Sequence, residues 1–178
     1  MHVFLQGERN IGKSTVVSRT IDMLQVREPL VLRGFFTWNG GKGDPHVYMR
    51  PAQRDREREV FRIASWDKTK GALVCDLQVF EQVGTSLLKK CPDTGLVVMD
   101  ELGFLESGAA GFIQAVMDTI AGSVPVLGVL RLGGIPWHET IKQNPSVSLF
   151  DVDRENRGTL PLELAERLLP LIFDTPNG

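Results

Sequence analysis

Short continuous apolar runs alternate along the chain with segments in which apolar residues recur every three or four positions. The continuous runs are typical of buried parallel strands, and they cover residues 3–5, 30–32, 96–99, 124–130 and 147–150. The spaced patterns are typical of amphipathic helices, and they begin near Lys13, Leu77, Phe112, Trp137 and Leu160. Because helices separate most successive strands, the pattern predicts a three-layer α/β/α fold built on a mainly parallel sheet.

The chain between the first two helical patterns departs from this rhythm. Residues 34–37 prolong an extended run, residues 39–45 are dense in Asn, Gly, Asp and Pro, and residues 46–49 are extended again. Residues 60–63 then alternate between apolar and polar side chains, as a half-buried strand does. This stretch predicts antiparallel strands appended to the parallel sheet.

Composition and charge limit the class of protein. The chain has 178 residues, of which 42% are hydrophobic, so we expect a single domain spanning residues 1–178. Its 20 basic and 22 acidic side chains give a net charge of −2, which provides no general attraction for nucleic acid or for an anionic membrane. The chain starts directly in a strand, and no apolar run approaches the roughly 20 residues that span a bilayer, so we expect a cytoplasmic protein.

The two cysteines carry no metal or redox signature. Cys75 and Cys91 are too far apart for a C-x-x-C pair, and no cluster of His or Cys accompanies either of them. We therefore interpret both as small, buried hydrophobic residues.

The residues directly after the first strand match the phosphate-loop pattern G-x-x-x-x-G-K-[ST]. In this pattern the backbone N–H groups of the loop and the N-terminus of the following helix surround polyphosphate. We expect Lys13 to reach the β- and γ-phosphates and the hydroxyl of Ser14 to ligate Mg²⁺. The residues predicted to bind nucleotide are therefore Gly7, Glu8, Arg9, Asn10, Ile11, Gly12, Lys13, Ser14 and Thr15.

Two carboxylates follow the apolar run at residues 96–99. Asp100 stands where a buried parallel strand would present it at the carboxyl edge of the sheet, and α/β proteins bind ligands at that edge. We expect Asp100 to hold Mg²⁺ opposite Ser14, directly or through water. The adjacent Glu101 is expected to orient or deprotonate the water that attacks the γ-phosphate. The order of these motifs predicts a hydrolytic site with Glu101 and Lys13 as its catalytic residues.

Other polar residues admit two interpretations. The four arginines within residues 50–58 could close over a nucleotide as a cationic lid, but the acidic residues between them favour a solvated loop of mixed charge. Arg131 leaves the strand at residues 124–130, where a cation could sense the γ-phosphate or simply lie at the rim. Trp137 and His138 could contact substrate, although a packed Trp and a surface His are the interpretation we favour.

Five stretches, taken in order, resemble the small cancer-related nucleoside-triphosphatase family, and they are residues 7–15, 34–37, 79–81, 99–103 with Glu106, and 155–157. The second and the last stretch distinguish this family from other phosphate-loop proteins. The resemblance implies a RecA-like fold and slow, Mg²⁺-dependent hydrolysis of several nucleoside triphosphates. It also implies that Asn156 and Arg157 approach the base. Arg9 and Asn10 stand where the family often has Pro and Gly.

We therefore expect an enzyme that hydrolyses nucleoside triphosphates such as ATP and GTP to diphosphate and phosphate, with little preference for the base. Two alternatives stay open. A small-molecule or nucleotide kinase would use the same phosphate loop but pass the phosphoryl group to an acceptor other than water. A nucleotide-switched binding module would use hydrolysis to reset its affinity for a partner, whose identity the sequence does not specify.

Overall fold

One eight-stranded sheet organises the fold in this structure, a computed structural model that describes residues 1–26, 29–89 and 95–173. Its strands are β1 (His2–Gln6), β2 (Leu32–Asn39), β3 (His46–Pro51), β4 (Phe61–Asp67), β5 (Ala72–Cys75), β6 (Leu96–Leu102), β7 (Val126–Leu130) and β8 (Val147–Asp151). They lie in the order β5-β4-β3-β2-β6-β7-β1-β8. From β2 to β8 in this order the neighbours are parallel, whereas β3, β4 and β5 extend the sheet with antiparallel pairing.

The helices of the described residues are α1 (Lys13–Gln25), α2 (Leu77–Val79), α3 (Thr85–Lys89), α4 (Ala110–Ala121), α5 (Pro136–Lys142) and α6 (Leu160–Phe173). A π-helical segment, Phe80–Gly84, joins α2 to α3. The side chain of Asp76 starts this helical stretch by accepting a hydrogen bond from the backbone N–H of Val79 over 3.3 Å. Pro136 opens α5, where its missing N–H would have no partner within the helix. Across the described ranges, no helix combines the length and apolar character needed to cross a bilayer.

Apolar side chains hold the layers together on both faces of the sheet. Successive strand residues point to opposite faces, so the run at residues 3–5 is apolar throughout because both faces are covered. Val3 and Leu5 pack with α1 and α6, while Phe4 packs with the opposite layer, and all three are fully buried. In that opposite layer the ring of Phe112 in α4 lies 5.4 Å from the ring of Phe80. Burying a side chain of this size contributes about 1.5–3 kcal/mol.

The predicted fold class is confirmed, with helices on both faces of a mainly parallel sheet and antiparallel strands appended at one edge. Strand β5 was not expected from the sequence. Its four residues, Ala-Leu-Val-Cys, form a short apolar run directly before the helical pattern at Leu77, and so short a run does not distinguish a strand from the start of a helix. The single helix expected from Leu77 onward instead forms as two α-helical pieces around the π-helical segment.

Two expectations about individual side chains are corrected. His138, expected at the surface, is 1% exposed because it shares a face of α5 with the buried Ile141, three residues later. The pKa of His138 is lowered to about 4, chiefly by burial and in smaller part by the charge of Lys142. Cys75, expected to be buried, is half-buried on the edge strand β5, and Cys91 lies outside the described residues.

Gly34 allows β2 to lie against β6 at the centre of the sheet. Its φ angle is +86°, and a Cβ atom at this position would clash with the backbone carbonyl of Val98, its partner in β6. The backbone carbonyl of Gly34 also accepts a hydrogen bond of 3.0 Å from the N–H of Ala52. Both the backbone conformation and the close approach therefore require glycine here.

Gly34→Ala is predicted to lower the free energy of unfolding by more than about 4 kcal/mol, because strain in the backbone adds to a clash with a rigid neighbour. Gly43→Ala is the matched control, since Gly43 has a φ of +92° but nothing within 4 Å of an added Cβ. We expect the control to lose only about 1–2 kcal/mol. Urea denaturation of both variants measures the difference, and equal losses would refute a steric role for Val98.

Candidate functional site

The carboxyl ends of the parallel strands meet along one edge of the sheet, and the residues singled out by the sequence follow those ends. The phosphate loop follows β1, Asp100 and Glu101 lie in the last part of β6, Arg131 follows β7, and residues 153–157 follow β8. A cleft of about 550 Å³ opens at this edge. Such an edge is where open α/β sheets bind their ligands, because loops diverge there.

Positive backbone angles shape the loop between β1 and α1. Gly7 has φ +152°, and a Cβ atom there would lie 2.6 Å from the carbonyl oxygen of Val152. Asn10 has φ 62°, in the left-handed region that Asn tolerates better than most residues. Asn10 therefore adopts a conformation that glycine also favours.

Lys13 turns its ammonium group into the loop. Its Nζ donates hydrogen bonds to the carbonyl oxygens of Gly7 at 3.0 Å and Glu8 at 2.9 Å, and the residue is 8% exposed. Gly12 offers no side chain to cap α1, and the first turn of this helix contains no acidic residue. An anion bound at this point would meet a cation, the first backbone N–H groups of α1 and the positive end of the helix dipole.

Ser14 and Asp100 bring two oxygen ligands together across the sheet. The Ser14 hydroxyl donates to Oδ1 of Asp100 over 3.2 Å. The pKa of Asp100 is raised to about 7, chiefly by burial and in smaller part by the nearby Glu101, against the opposing effects of the Ser14 hydrogen bond and the charge of Lys13. A hydroxyl and a carboxylate are the hard oxygen ligands that Mg²⁺ takes from a protein when it also binds phosphate and water, so the pair fits that ion. No cluster of three His, Cys, Asp or Glu residues suited to a metal occurs within the described ranges.

Two residues, Thr37 and Arg131, contact Glu101 at the carboxyl end of β6. Its backbone N–H donates to Oγ1 of Thr37 over 3.1 Å, and its Oε1 lies 3.6 Å from Nη1 of Arg131. The side chains of Glu101 and Arg131 are 30% and 37% exposed, so solvent screens this ion pair. The β6–β7 pairing shifts register between Met99 and Leu102, and the peptide bond between Asp100 and Glu101 is cis. Both carboxylates line the cleft.

The segment after β6 folds back around Glu106, which is 3% exposed and lines the cleft. The carboxylate of Glu106 accepts a hydrogen bond from the backbone N–H of Gly103. Burial raises the pKa of Glu106 to about 7, and the charge of Glu101 adds to this rise, whereas the Gly103 hydrogen bond and Arg131 lower it. The guanidinium of Arg131 lies 4.7 Å from the ring centroid of Phe104, which fixes this cation between the β6 and β7 loops.

The loop after β8 contacts the phosphate loop through Arg157. Its Nη1 donates to the carbonyl oxygen of Ile11 over 3.2 Å. The Asn156 side chain stabilises its own loop, because Nδ2 donates to the Asp151 carbonyl at 2.7 Å and Oδ1 accepts from the Asp153 N–H at 3.0 Å. Arg157 is therefore better able than Asn156 to contact a bound nucleotide, because the side-chain amide of Asn156 is already engaged within its own loop.

The structure brings most of the predicted site residues into one cleft. The lining includes Gly7, Arg9, Asn10, Gly12, Lys13, Ser14, Thr15, Asp100, Glu101 and Arg131. Of the residues predicted to bind nucleotide, Glu8, Ile11, Asn156 and Arg157 lie outside that lining, although Arg157 borders the phosphate loop, and Trp137 and His138 lie outside it as well.

Sequence reasoning assigned no role to Thr37 or Glu106, and both line the cleft. Thr37 directly follows Phe36, which pairs with Asp100 in the β2–β6 ladder, so Thr37 lies beside Glu101. Knowledge of this strand pairing would have been enough to find Thr37. The apolar part of the lining, formed by strands β3 to β5, has no comparable signal in the sequence.

The arginines between residues 50 and 58 contact residues outside the cleft. Arg56 pairs with both carboxylate oxygens of Glu59, and Arg50 lies 4.8 Å from the ring centroid of Phe36. Arg54 donates a hydrogen bond to Gln25 at the end of α1. None of residues 50–58, all of which the structure describes, lines the cleft. These contacts fit the mixed-charge loop better than the cationic lid.

Comparison with known proteins gives consistent similarities. A family model described as NTPase matches residues 2–165. The human cancer-related nucleoside-triphosphatase is 30% identical, over 89% of this chain and 92% of that protein. The nucleoside-triphosphatase THEP1 of Natranaerobius thermophilus is 25% identical, over 94% and 96%. The crystal structure of THEP1 from the hyperthermophile Aquifex aeolicus superposes with a TM-score of 0.76 at 20% identity, over 97% of this chain and 99% of that one, and supports the fold.

The raised pKa of the buried Glu106 predicts how the stability of the chain depends on pH. Its pKa is raised from 4.5 to about 7 in the folded chain, so between these values the folded state binds more protons than the unfolded state. Stability must then fall as pH rises through this window, by about 1.4 kcal/mol per unit of pKa displacement. Glu106→Gln keeps an oxygen for the Gly103 N–H but does not titrate, so it should lose less stability between about pH 5 and about pH 8.

Urea denaturation of the native chain and Glu106→Gln, in buffers without nucleotide or metal, measures this difference. Asp100 titrates in both proteins, so its contribution cancels in the comparison. Parallel stability curves over the whole pH range would contradict the assignment.

Proposed function

Because this chain belongs to the NTPase family, we propose that it hydrolyses nucleoside triphosphates to nucleoside diphosphate and phosphate. The observation that carries the proposal is the contact of 3.2 Å between Ser14 and Asp100, beside Glu101 at the mouth of the phosphate loop. It unites the oxygen pair suited to Mg²⁺ with a carboxylate suited to activating water.

The triphosphate binds at the phosphate loop. The Lys13 ammonium, which donates to two loop carbonyls, exchanges these partners for β- and γ-phosphate oxygens. The N–H groups at the start of α1 donate to the same phosphates, and Gly12 leaves their approach open. This arrangement supports catalysis mainly by fixing the γ-phosphate and stabilising charge on it.

Ser14 and Asp100 hold the cation. Mg²⁺ held by these two oxygens would neutralise charge on the phosphates. Asp100 serves this role as a carboxylate, so we infer that cation binding favours its ionised form despite burial.

Glu101 handles the attacking water. Its carboxylate accepts a proton as the water oxygen bonds to the γ-phosphorus and the bond to the bridging oxygen breaks, leaving the electron pair on the diphosphate. Thr37 fixes the backbone of Glu101, and Arg131 holds its carboxylate at the cleft. Arg131 also lies close enough to this carboxylate to contribute positive charge near the γ-phosphate.

The base lies towards the loop after β8. Arg157 borders the phosphate loop on that side, is exposed, and can contact the ribose or stack on the base. Such contacts do not read one particular base edge, so we expect ATP, GTP and other triphosphates to serve as substrates. Asn156 supports the loop through its two hydrogen bonds.

Glu101→Gln is predicted to lower the rate of phosphate release by about 10²–10⁴-fold, because the amide cannot accept the proton of water. Affinity for the nucleotide should stay nearly unchanged, since the phosphate contacts remain. The control is Glu163→Gln, which makes the same change on the outside of α6, where Glu163 pairs with Arg167.

Single-turnover phosphate release and nucleotide titration, made on both variants, measure the two effects separately. If Glu101→Gln turned over as fast as the control, water activation would belong to another residue. If it lost nucleotide affinity instead, Glu101 would act in binding.

A further inference from the structure

One side of the cleft is apolar, and the strands that line it lie away from the phosphate loop in the sheet. It is lined by Val47, Ile63 and Leu73 of strands β3 to β5, by Phe80, and by Leu105 of the loop after β6, and we call it the apolar recess. Ile63 and Phe80 are almost fully buried in the core, whereas Leu73 and Leu105 are half-buried. Val47 is also buried, so Leu73 and Leu105 provide most of the apolar surface that the recess presents to the cleft.

The recess lies on the opposite flank of the site from Arg157. In the sheet, β8 is next to β1 on one side, whereas β3 is four strands away from β1 on the other. Neighbouring strands are about 4.8 Å apart, so β3, the first of the three strands that line the recess, lies about 19 Å from the strand that carries the phosphate loop. With the base of a nucleotide on the Arg157 side, its γ-phosphate points towards Asp100, Glu101 and the recess.

The apolar recess is not suited to binding a triphosphate. Apolar side chains offer phosphate no hydrogen bonds, and an anion would lose hydration there without compensation. Open apolar surface beside convergent polar groups is instead the usual composition of a small-molecule site. The recess is also continuous with the reacting centre, because Glu101 lines the same cleft.

The polar groups at the boundary of the recess indicate the chemistry of its occupant. Glu101 and Glu106 present carboxylates to the cleft, and Thr37 presents a hydroxyl that already accepts the Glu101 N–H. A carboxylate accepts hydrogen bonds, and the Thr37 hydroxyl can accept or donate them, so these groups favour a neutral or cationic molecule that carries a hydrogen-bond donor. They disfavour a polyanion such as nucleic acid.

We propose that the apolar recess binds a small uncharged molecule, with an apolar ring or chain seated against Leu73 and a hydroxyl group directed to Glu106, so that the Glu101 carboxylate stays free for the attacking water. This rests on the proposed function only in the direction assigned to the γ-phosphate. The occupant and the nucleotide bind at the same time, because the recess and the phosphate loop lie on different sides of one cleft.

The test uses benzyl alcohol as the probe and saturation-transfer NMR on the full chain, with glycerol as a probe that has hydroxyls but no apolar body. Benzyl alcohol should bind and glycerol should not. Leu73→Asp should weaken benzyl alcohol binding by about tenfold or more, because it places a charge against the ring. Val74→Asp is the matched control, since the neighbouring side chain does not line the cleft and is 42% exposed.

Saturating Mg-ADP should leave the benzyl alcohol signal in place, and Leu73→Asp should retain phosphate release from ATP. Equal effects of the two aspartate variants, loss of the signal with Mg-ADP, or preferential binding of single-stranded RNA over benzyl alcohol would overturn the recess proposal. Failure of the native chain to release phosphate from ATP, with the probe still bound in a Leu73-dependent way, would instead count against the proposed function alone.

Discussion

The contact between Ser14 and Asp100 is the constraint on which the site depends. Ser14 lies at the start of α1, directly after β1 and the phosphate loop, whereas Asp100 lies in β6. The two strands are not neighbours, because β7 lies between them in the sheet. The side chains of Ser14 and Asp100 can meet only because all three strands run in the same direction and end at the same edge. The buried apolar layers on both faces keep those strand ends in register.

The parallel core could be predicted from the sequence because every one of its signals is local. The phosphate-loop residues follow an apolar run directly, and Asp100 and Glu101 end another, so sequence order alone puts them at one edge of the sheet. His138 could not be predicted in the same way. Its burial depends on which face of a short helix meets the sheet, and the polarity of the residue suggests the opposite.

The appended antiparallel strands were predicted only in outline, and they contribute the part of the site that sequence reasoning missed. Val47, Ile63 and Leu73 come from three different strands and converge through pairing across the sheet, which no spacing along the chain records. The loop around Glu106 adds a buried carboxylate to the same cleft. The parallel strands therefore position the residues predicted to bind and hydrolyse the triphosphate, and the antiparallel strands provide most of the apolar lining of the cleft.

The measurement that tests the central claim most directly is phosphate release by Ser14→Cys with Mg²⁺ and with the softer cation Cd²⁺. Ser14 is exposed at the start of α1, so the replacement should fold normally. If Ser14 ligates the cation, the variant should lose activity with Mg²⁺ and regain it with Cd²⁺, because a thiolate prefers the softer ion. Full activity of the variant with Mg²⁺, or a loss that is the same with both cations, would contradict the account.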